Sequence, residues 1–257
     1  MSYLVESHTD RGITKDGNQD SFCIKEANSI VGDILMIVLC DGMGGLSKGE
    51  LASAEVVLAF SKWFEQDLSQ FLDEENSLEK ICDSWKNLMD IENKKISDYG
   101  EKNHLQLGTT LTVLLIINGQ QYVFFHVGDT RIYLLHNEEI KQITEDQTVV
   151  ASEIKAGRLT QEQEKNDPRK SVLLQCIGSS PSIQPEIGAG KINRNTAFLL
   201  CTDGFRHEIS EEEILWELQA DKLIDEKVMK KKLFDLTELV KERNETDNIS
   251  SIVAKVI

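Results

Sequence analysis

The sequence predicts an α+β fold in which antiparallel sheets are covered by helical hairpins. Two observations support this class. Strand-like and helix-like segments follow one another in the order βααββββ and, further on, βααβ, so the helices come in pairs rather than singly between strands. Paired helices do not fit the βαβ crossovers of a parallel sheet. In addition, Asn118-Gly119 separates two apolar runs, which is a strong signal for a type I′ hairpin between antiparallel neighbours.

The elements can be assigned in order along the chain. Strands are predicted over residues 21–25 and 33–40, and the second is an almost unbroken run of β-branched residues and Leu, typical of a buried strand. Amphipathic helices are predicted over residues 49–66 and 77–99. The remaining predictions are strands over 109–117, 120–127, 131–135 and 196–201, helices near 211–219 and 225–242, and a last strand over 249–257.

No repeat, low-complexity tract or linker divides the 257 residues, so we expect one domain spanning residues 1–257. Residues 148–171 differ from the rest because they are charged and poorly patterned, with two short helices predicted around Gly157. We expect this segment to be an excursion over the surface.

Composition excludes several classes of function. The chain has 44 acidic and 28 basic residues and a formal net charge of −16, which argues against nucleic acid or an anionic membrane as the main partner. No apolar run approaches the ~20 residues of a membrane helix, and no secretory signal is visible. The five cysteines are scattered without CxxC spacing, which fits reduced thiols in a cytoplasm. We therefore expect a cytoplasmic protein and, without a coiled-coil segment, a monomer.

Acidic residues stand at the ends of the most apolar strands. Three strands run directly into Asp41, Asp129 and Asp203, each beside a Gly, and Asp20 and Asp247 also flank strands. One such Asp-Gly is most often only a turn, but five acids in similar positions are hard to explain as turns. A buried carboxylate needs a counter-charge, and Arg and Lys are mostly absent beside these acids. The pattern predicts a divalent cation, and oxygen ligands favour Mg²⁺, Mn²⁺ or Ca²⁺ over Zn²⁺.

A calcium-binding EF-hand loop starting at Asp16 is one alternative that the sequence itself tests. That loop needs Gly at its sixth position and Glu at its twelfth. The chain has Ser21 and Ala27 there, so this alternative is rejected.

The ordered motifs of the chain resemble those of the PPM family, the metal-dependent serine/threonine protein phosphatases of type 2C, in their bacterial form. The resemblance extends from about residue 7 to residue 257, and each motif is weak alone while their order and spacing are highly specific. The resemblance implies a four-layer α-β-β-α sandwich, with two antiparallel sheets flanked by antiparallel helix pairs. The motifs are Asn18-Gln-Asp20, Asp41-Gly-Met-Gly-Gly45, Gly108-Thr-Thr110, Val127-Gly-Asp-Thr-Arg131, Thr202-Asp-Gly204 and Asp247-Asn248.

The resemblance also implies a centre of two Mg²⁺ or Mn²⁺ ions. Asp41 would bridge both ions, and the carbonyl group of Gly42 would bind one of them. Asp203 and Asp247 would hold the first ion, and Asp20 would support the second through water. Asp41 and Asp203, with Lys15, are therefore the candidate catalytic residues.

Two further features follow from the same resemblance. Asp129, together with Asp203, matches a third metal position of bacterial members, and residues 148–171 fall where the family has a flap beside the active site. The implied reaction is hydrolysis by a water shared between two cations, whose pKa they lower for in-line attack on phosphorus. No protein nucleophile is needed, and none of the five cysteines has the Arg six residues later that marks thiol-based phosphatases.

Some residues depart from the usual pattern of the family. Lys15 stands where many members have an Arg that grips the substrate phosphate, so we expect weaker phosphate binding, with a solvated loop charge as the alternative. Met43 stands where animal members have a His proposed as the acid for the leaving group, and Met cannot donate a proton.

Three other residues have two interpretations each. His207 either tunes the first metal or is an ordinary surface His, and His126 is expected to be a hydrogen-bonded core residue rather than a catalyst. Arg131 either orients Asp129 or forms a structural ion pair.

Three functions remain open at this point. The first is an active phosphatase for phosphoserine and phosphothreonine in proteins that a serine/threonine kinase has phosphorylated. The second is a low-activity family member that serves as a regulatory binding module, for which Lys15 is the main reason. The third is an unrelated hydrolase of small phosphate esters that uses the same cations.

Overall fold

Two five-stranded antiparallel sheets form the centre of the protein in a computed structural model, which describes residues 3–43, 48–72, 77–164 and 167–257. The strands are β1 (Tyr3–Asp10), β2 (Ser21–Ser29), β3 (Gly32–Cys40), β4 (Gly42–Met43), β5 (Gly108–Thr109), β6 (Leu111–Ile117), β7 (Gln121–Val127), β8 (Arg131–His136), β9 (Glu139–Gln142), β10 (Glu186–Lys191), β11 (Thr196–Cys201) and β12 (Ile249–Val256). The helices are α1 (Gly49–Gln66), α2 (Ser77–Asn103), α3 (Val149–Lys155), α4 (Gln161–Glu164), α5 (Asp203–Arg206), α6 (Glu211–Leu218) and α7 (Glu226–Glu242).

The two sheets pack face to face. The first has the order β10-β7-β6-β3-β2 and the second the order β1-β12-β11-β8-β9, while β4 and β5 form a short ribbon beside them. Side chains from both inner faces share one buried apolar cluster, in which Ile37 and Leu114 of the first sheet join Phe198 and Ile252 of the second. This cluster is the middle of the molecule.

A helix pair covers the outer face of each sheet. On the first sheet, α1 and α2 bury Phe60, Trp63 and Trp85, and the Trp85 ring lies edge-on to Phe125 of β7 at 6.1 Å between ring centroids. On the second sheet, α6 and α7 enclose another apolar cluster that includes Leu233 of α7. The layers are therefore α-β-β-α, and the predicted fold class is confirmed.

Strands β1, β9 and β10 have no counterpart in the prediction. Strand β10 pairs with β7 and contains Gly188 and Gly190, which are unusual in a strand interior. The rings of Phe124 and Tyr122 explain both glycines, because an added Cβ would approach those rings to 2.3 Å and 2.7 Å.

The predicted hairpin between β6 and β7 is confirmed. Asn118 and Gly119 have φ values of 52° and 62°, the positive values that a type I′ turn requires. The Tyr3 hydroxyl of β1 accepts from the Gly119 N–H at 3.0 Å and donates to the Asp33 carbonyl at 2.8 Å. These bonds tie the hairpin of the first sheet to the edge strand of the second.

The segment 148–171 begins with two short helices, α3 and α4, on either side of Gly157, as the sequence predicts. The Thr148 hydroxyl caps α3 by accepting from the Ala151 N–H at 3.0 Å. Thr148 also forms a β-bridge with Leu173, so the two ends of the excursion are joined. Over the described parts of the chain, no helix combines the length and apolar character needed to cross a bilayer.

Candidate metal centre

Six of the seven predicted site residues line one cleft, with a volume of about 230 Å³, at one end of the sheet sandwich. Asp41 follows β3, Asp129 lies between β7 and β8, Asp203 follows β11, and Asp247 precedes β12. Four separate strands thus bring their end residues to one place. The residues that line the cleft are Lys15, Gln19, Asp41, Gly42, Met43, Thr110, Asp129, Ser171, Leu173, Asp203 and Asp247.

The seventh predicted residue, Asp20, lies beside this cleft and does not line it. Its Oδ2 accepts a hydrogen bond from the Thr202 hydroxyl at 3.2 Å. Burial, followed by repulsion from Asp203, raises the pKa of Asp20 to about 7. Asp20 is therefore a buried acid that interacts electrostatically with the cleft.

The backbone of Asp41 is fixed by the motif at residues 108–110. Its N–H donates to the Thr110 hydroxyl at 2.8 Å, and its carbonyl accepts from the Thr109 hydroxyl and the Thr110 N–H, each at 2.9 Å. Burial, and then repulsion from Asp20 and Asp203, raises the pKa of Asp41 well above its ordinary value. The backbone of Asp41 is thus fixed, and its carboxyl group lies in a strongly negative environment.

Gly42 is required by close backbone packing. A Cβ at this position would lie 2.4 Å from the carbonyl oxygen of Gly49 and 2.5 Å from that of Gln19. With its amide oriented to satisfy both neighbours, Gln19 donates to the Gly42 carbonyl at 3.2 Å and accepts from the Gly49 N–H at 3.1 Å. The remaining motif residues, Gly44 and Gly45, lie outside the described residues.

Two carboxylate oxygens in this region are buried without a hydrogen-bond partner among the described residues, Oδ1 of Asp20 and Oδ1 of Asp203. An unpaired buried carboxylate is costly. Burial and the nearby Asp203 also raise the pKa of Asp129 to about 7. Acids with raised pKa values and unsatisfied oxygens fit a divalent cation, for which carboxylate oxygens are suitable ligands.

The protein side chains do not enclose an ion completely. Within the described parts of the chain, no three His, Cys, Asp or Glu side chains converge closely enough to hold a metal by themselves. Mg²⁺ is typically bound by one or two carboxylates and keeps several of its waters. The cleft therefore fits hydrated ions of this type better than an ion held wholly by protein.

Lys15 lies in the cleft, with its Nζ 2.8 Å from Oδ1 of Asp247. Burial, the largest single effect, opposes the charge of Lys15, but the hydrogen bond to Asp247 and the charges of nearby carboxylates together raise the pKa of Lys15. Because the side chain of Lys15 is also 40% exposed, the two interpretations of this residue both stay open. A contact of Lys15 with substrate phosphate stays a prediction.

The prediction that basic residues are mostly absent beside the acids needs correction, because Arg206 as well as Lys15 lies next to them. Nη2 of Arg206 is 3.2 Å from the Asp129 carbonyl oxygen and 3.8 Å from Oδ2 of Asp129. Arg131 instead forms a two-pronged ion pair with Asp146, at 2.8 Å and 2.7 Å. The structural interpretation of Arg131 is thus confirmed, and its proposed orientation of Asp129 is wrong.

His207 contacts the site, so its interpretation as an ordinary surface His is wrong. Its Nε2 lies 3.6 Å from Oδ2 of Asp203, and its Nδ1 lies 3.3 Å from Oε2 of Glu245. Glu245 also accepts from the N–H groups of Thr246 at 2.7 Å and Asp247 at 2.8 Å. Although burial raises the pKa of Glu245, His207 and these donors lower it overall. His207 and Glu245 together support two of the predicted ligands.

His126 is a satisfied core residue, as predicted. Its Nδ1 is 2.9 Å from the Thr112 hydroxyl, and its Nε2 is 3.1 Å from the Gly128 carbonyl and 3.2 Å from the Glu145 carbonyl. Because Nε2 faces only acceptors, it carries the proton, and Nδ1 accepts from Thr112. Burial lowers the pKa of His126 to about 4, so the ring is neutral.

The remaining walls of the cleft come from Met43 and from the excursion. Met43 offers no exchangeable proton, in agreement with the prediction. Ser171 and Leu173 line the cleft from the end of the 148–171 segment and just beyond it. The excursion therefore borders the acidic cleft, at the place predicted for a flap.

Comparison with known proteins is consistent with this geometry. The family described as Protein phosphatase 2C matches residues 6–253. The chain therefore belongs to the protein phosphatase 2C family, a family of phosphoprotein phosphatases, and the resemblance noted in the sequence is confirmed.

Individual relatives are similar over most of the chain. Protein phosphatase PhpP of Streptococcus pneumoniae is 33% identical over 210 residues, which is 80% of each chain. The solved S. agalactiae serine/threonine phosphatase has a TM-score of 0.84 and 30% identity, covering 99% of this chain and 100% of that one. The catalytic domain of the serine/threonine protein phosphatase PstP, solved with two manganese ions, has a TM-score of 0.77 and 28% identity, covering 99% of this chain and 98% of that one.

Proposed function

We propose that this protein hydrolyses phosphoserine and phosphothreonine in phosphoproteins, with Mg²⁺ or Mn²⁺ as its cofactor. The observation that carries the proposal is the group of acids in and beside the cleft, where Asp20 and Asp41 have raised pKa values and one buried oxygen each of Asp20 and Asp203 has no hydrogen-bond partner among the described residues. The substrate class is supported by the relatives, which are named serine/threonine phosphatases, and the cofactor by the manganese complex of PstP.

The residues present fit two cations. The carboxylate of Asp41 and the carbonyl group of Gly42 would help to hold the ions, together with water. Asp203 and Asp247 would hold the first ion, and Asp20 would support the second through water. When bound, the two ions supply Lewis acids that activate a water for attack on phosphorus and neutralise developing charge. The side chains and backbone of the protein would position the ions and the substrate.

The protein contributes position, charge and shape. Thr109 and Thr110 fix the backbone of Asp41, so this acid does not have to reorganise during the reaction. Lys15 brings a positive charge that can contact a phosphate oxygen after it leaves Asp247. The side chain of Met43 has no proton to give, so protonation of the leaving group falls to solvent in the cleft.

The cellular setting is proposed on separate grounds. All five cysteines are free, and four of them are buried, which supports a reducing, cytoplasmic environment. The core shared by both sheets supports one catalytic domain over residues 1–257, acting as a monomer, with residues 148–171 as its flap. The substrates would be proteins phosphorylated by serine/threonine kinases.

The decisive experiment measures turnover of a phosphothreonine peptide and of p-nitrophenyl phosphate with Mn²⁺. We expect activity that a chelator abolishes and Mn²⁺ restores. Asp203→Asn should lower kcat/KM roughly a hundredfold or more, because metal affinity and charge stabilisation fall together. Asp67→Asn is the matched control, since Asp67 lies at the end of α1 and does not line the cleft.

The same assay separates the three functions. A folded protein without turnover on either compound in saturating Mn²⁺ would contradict the enzyme proposal and favour a regulatory binding module. A kcat/KM that is higher for small phosphate esters than for phosphothreonine and phosphoserine peptides would favour the small-ester hydrolase.

A further inference from the structure

Arg206 is a buried cation beside one of the predicted metal ligands, and the sequence analysis did not anticipate it. We infer that Arg206 is a permanent counter-charge for Asp129, and that it keeps a third divalent ion from binding there. The inference rests on the proposed two-metal centre and concerns whether Asp129 binds a further metal ion.

The guanidinium group is held in place on the side of Asp129. Its Nη2 lies 3.2 Å from the Asp129 carbonyl oxygen, 3.8 Å from Oδ2 of Asp129 and 3.2 Å from Oδ2 of Asp146. Asp146 is itself fixed by its two bonds from Arg131. The Nε of Arg206 is buried without a partner among the described residues, so Nη2 is the end of the group that is bonded.

Arg206 cannot move away or lose its charge. Its side chain is only 10% exposed, and it does not line the cleft. A guanidinium stays protonated at any pH a protein survives. By contrast, the side chain of Lys15 is 40% exposed, so this cation can turn toward solvent when an ion binds at Asp247.

A fixed positive charge next to Asp129 acts against a metal ion in two ways. It satisfies part of the charge of the carboxylate, and it repels a divalent ion in a region of low dielectric constant. Asp247 pairs with the exposed Lys15, which can turn away, and the charge of Arg206 also reaches Asp203, but the carboxylate that Arg206 contacts among the cleft acids of the described residues is that of Asp129. The proposed centre would therefore hold two ions, and the charge of Arg206 behind Asp129 would disfavour a third.

The test counts bound Mn²⁺ by equilibrium dialysis with elemental analysis and measures affinities by calorimetry, without any activity assay. We expect two ions for the wild type and three for Arg206→Met, with the third ion bound about tenfold or more tightly than in the wild type. Arg243→Met is the matched control, because it removes a guanidinium that pairs with Glu213 away from the cleft, and it should still bind two ions.

Asp129→Asn, tested in the wild-type background, does not depend on the folding of the Arg206 variant. The inference expects two ions for this variant, and the loss of an ion would overturn it. Three tightly bound ions in the wild type, or two in a folded Arg206→Met protein with unchanged thermal unfolding, would also overturn it. A wild type that binds no Mn²⁺ would instead contradict the proposed metal centre, which is a different result.

Discussion

Lys15 is the residue of the cleft that we propose to contact a substrate phosphate. Its ammonium group lies 2.8 Å from Oδ1 of Asp247, so it serves either this carboxylate or a phosphate oxygen. An ammonium is a compact charge and lacks the two parallel donors with which a guanidinium matches phosphate. If Lys15 contacts the substrate, we expect the identity of this side chain to affect the affinity for phosphate.

Changing Lys15 should affect KM more than kcat. Lys15→Ala removes a charge-assisted hydrogen bond of about 1.5 kcal/mol, which corresponds to a roughly tenfold higher KM for a phosphothreonine peptide. Lys15→Arg should lower KM several-fold below the wild type, because a fork of donors replaces a point charge. Steady-state kinetics in saturating Mn²⁺ measures both, with Lys25→Ala as the control, since Lys25 pairs with Glu65 away from the cleft.

One kinetic result would contradict the proposed contact between Lys15 and the substrate. An unchanged KM in Lys15→Ala, with Mn²⁺ still saturating, would show that Lys15 serves only Asp247 and does not contact the substrate.

Four of the five site acids were predictable from the sequence because each follows or precedes a strongly apolar strand, and the exception is Asp20, which precedes the mixed strand β2. Asp41 and Asp203 can be recognised from the residues next to them in the sequence. Arg206, Asp146 and Glu245 could not be found in this way, since their roles depend on side chains that meet across elements. Arg206 and Asp129, for example, are 77 positions apart. An Arg that follows Thr202-Asp-Gly204 so closely is the one local signal that could have drawn attention to it.

At the scale of elements, strands with continuous apolar sequence were predicted and mixed ones were not. β3 and β6 are buried over most of their length, so their sequence is uniformly apolar. β1, an edge strand, alternates imperfectly, and β10 contains glycines that make room for rings of β7. In such strands tertiary packing, rather than local preference, determines the residue type.

The stability of helix α6 depends on the hydrogen bonds at its N-terminus. It buries only Ile214 and Leu218, and it begins with a complete capping box. The Ser210 hydroxyl accepts from the Glu213 N–H at 3.2 Å, and Glu213 Oε2 accepts from the Ser210 N–H at 3.0 Å. Arg243, at the end of α7, also pairs with Glu213. The start of α6 therefore joins the two helices that cover the second sheet.

Ser210→Ala should lower the free energy of unfolding by about 1 kcal/mol, because the N-terminal N–H of Glu213 loses its acceptor. Ser210→Asp is the matched control, since Asp is an equally good N-cap and should stay within a few tenths of 1 kcal/mol of the wild type. Urea unfolding measures both variants. Equal destabilisation by Ala and Asp would contradict a capping role.

At the scale of the whole molecule, the acidic centre opposes folding when no cation is bound. Asp20 and Asp129 have pKa values raised to about 7, from an ordinary value of 3.8, chiefly by burial. The folded protein therefore binds protons that the unfolded chain has already released. This contribution is complete below the unfolded pKa, and it is lost as the pH rises through 7.

The metal-free protein should thus become more stable as the pH falls from 8.5 to 6.5. We expect an increase of about 1 kcal/mol in the free energy of unfolding, measured with urea in the presence of a chelator. We limit the prediction to pH values above 6.5 because of His126, whose pKa is lowered to about 4 in the folded protein. Below its ordinary pKa of 6.5, titration of His126 lowers the free energy of unfolding, whereas titration of the acids raises it. There the unfolded chain binds the proton first, so the contribution of His126 opposes the increase that the acids produce.

Two further measurements test whether the acids cause this pH dependence of stability. Asp20→Asn should reduce the increase, because one of the two titrating carboxyl groups is removed. Saturating Mn²⁺ should abolish or reverse it, because the ion competes with protons for the same oxygens and is bound more tightly at the higher pH. A chelated wild type whose stability is constant or falls between pH 8.5 and 6.5 would show that these carboxylates do not carry raised pKa values. The buried acids would then need another counter-charge within the fold, and the case for a cation in the cleft would lose its electrostatic support.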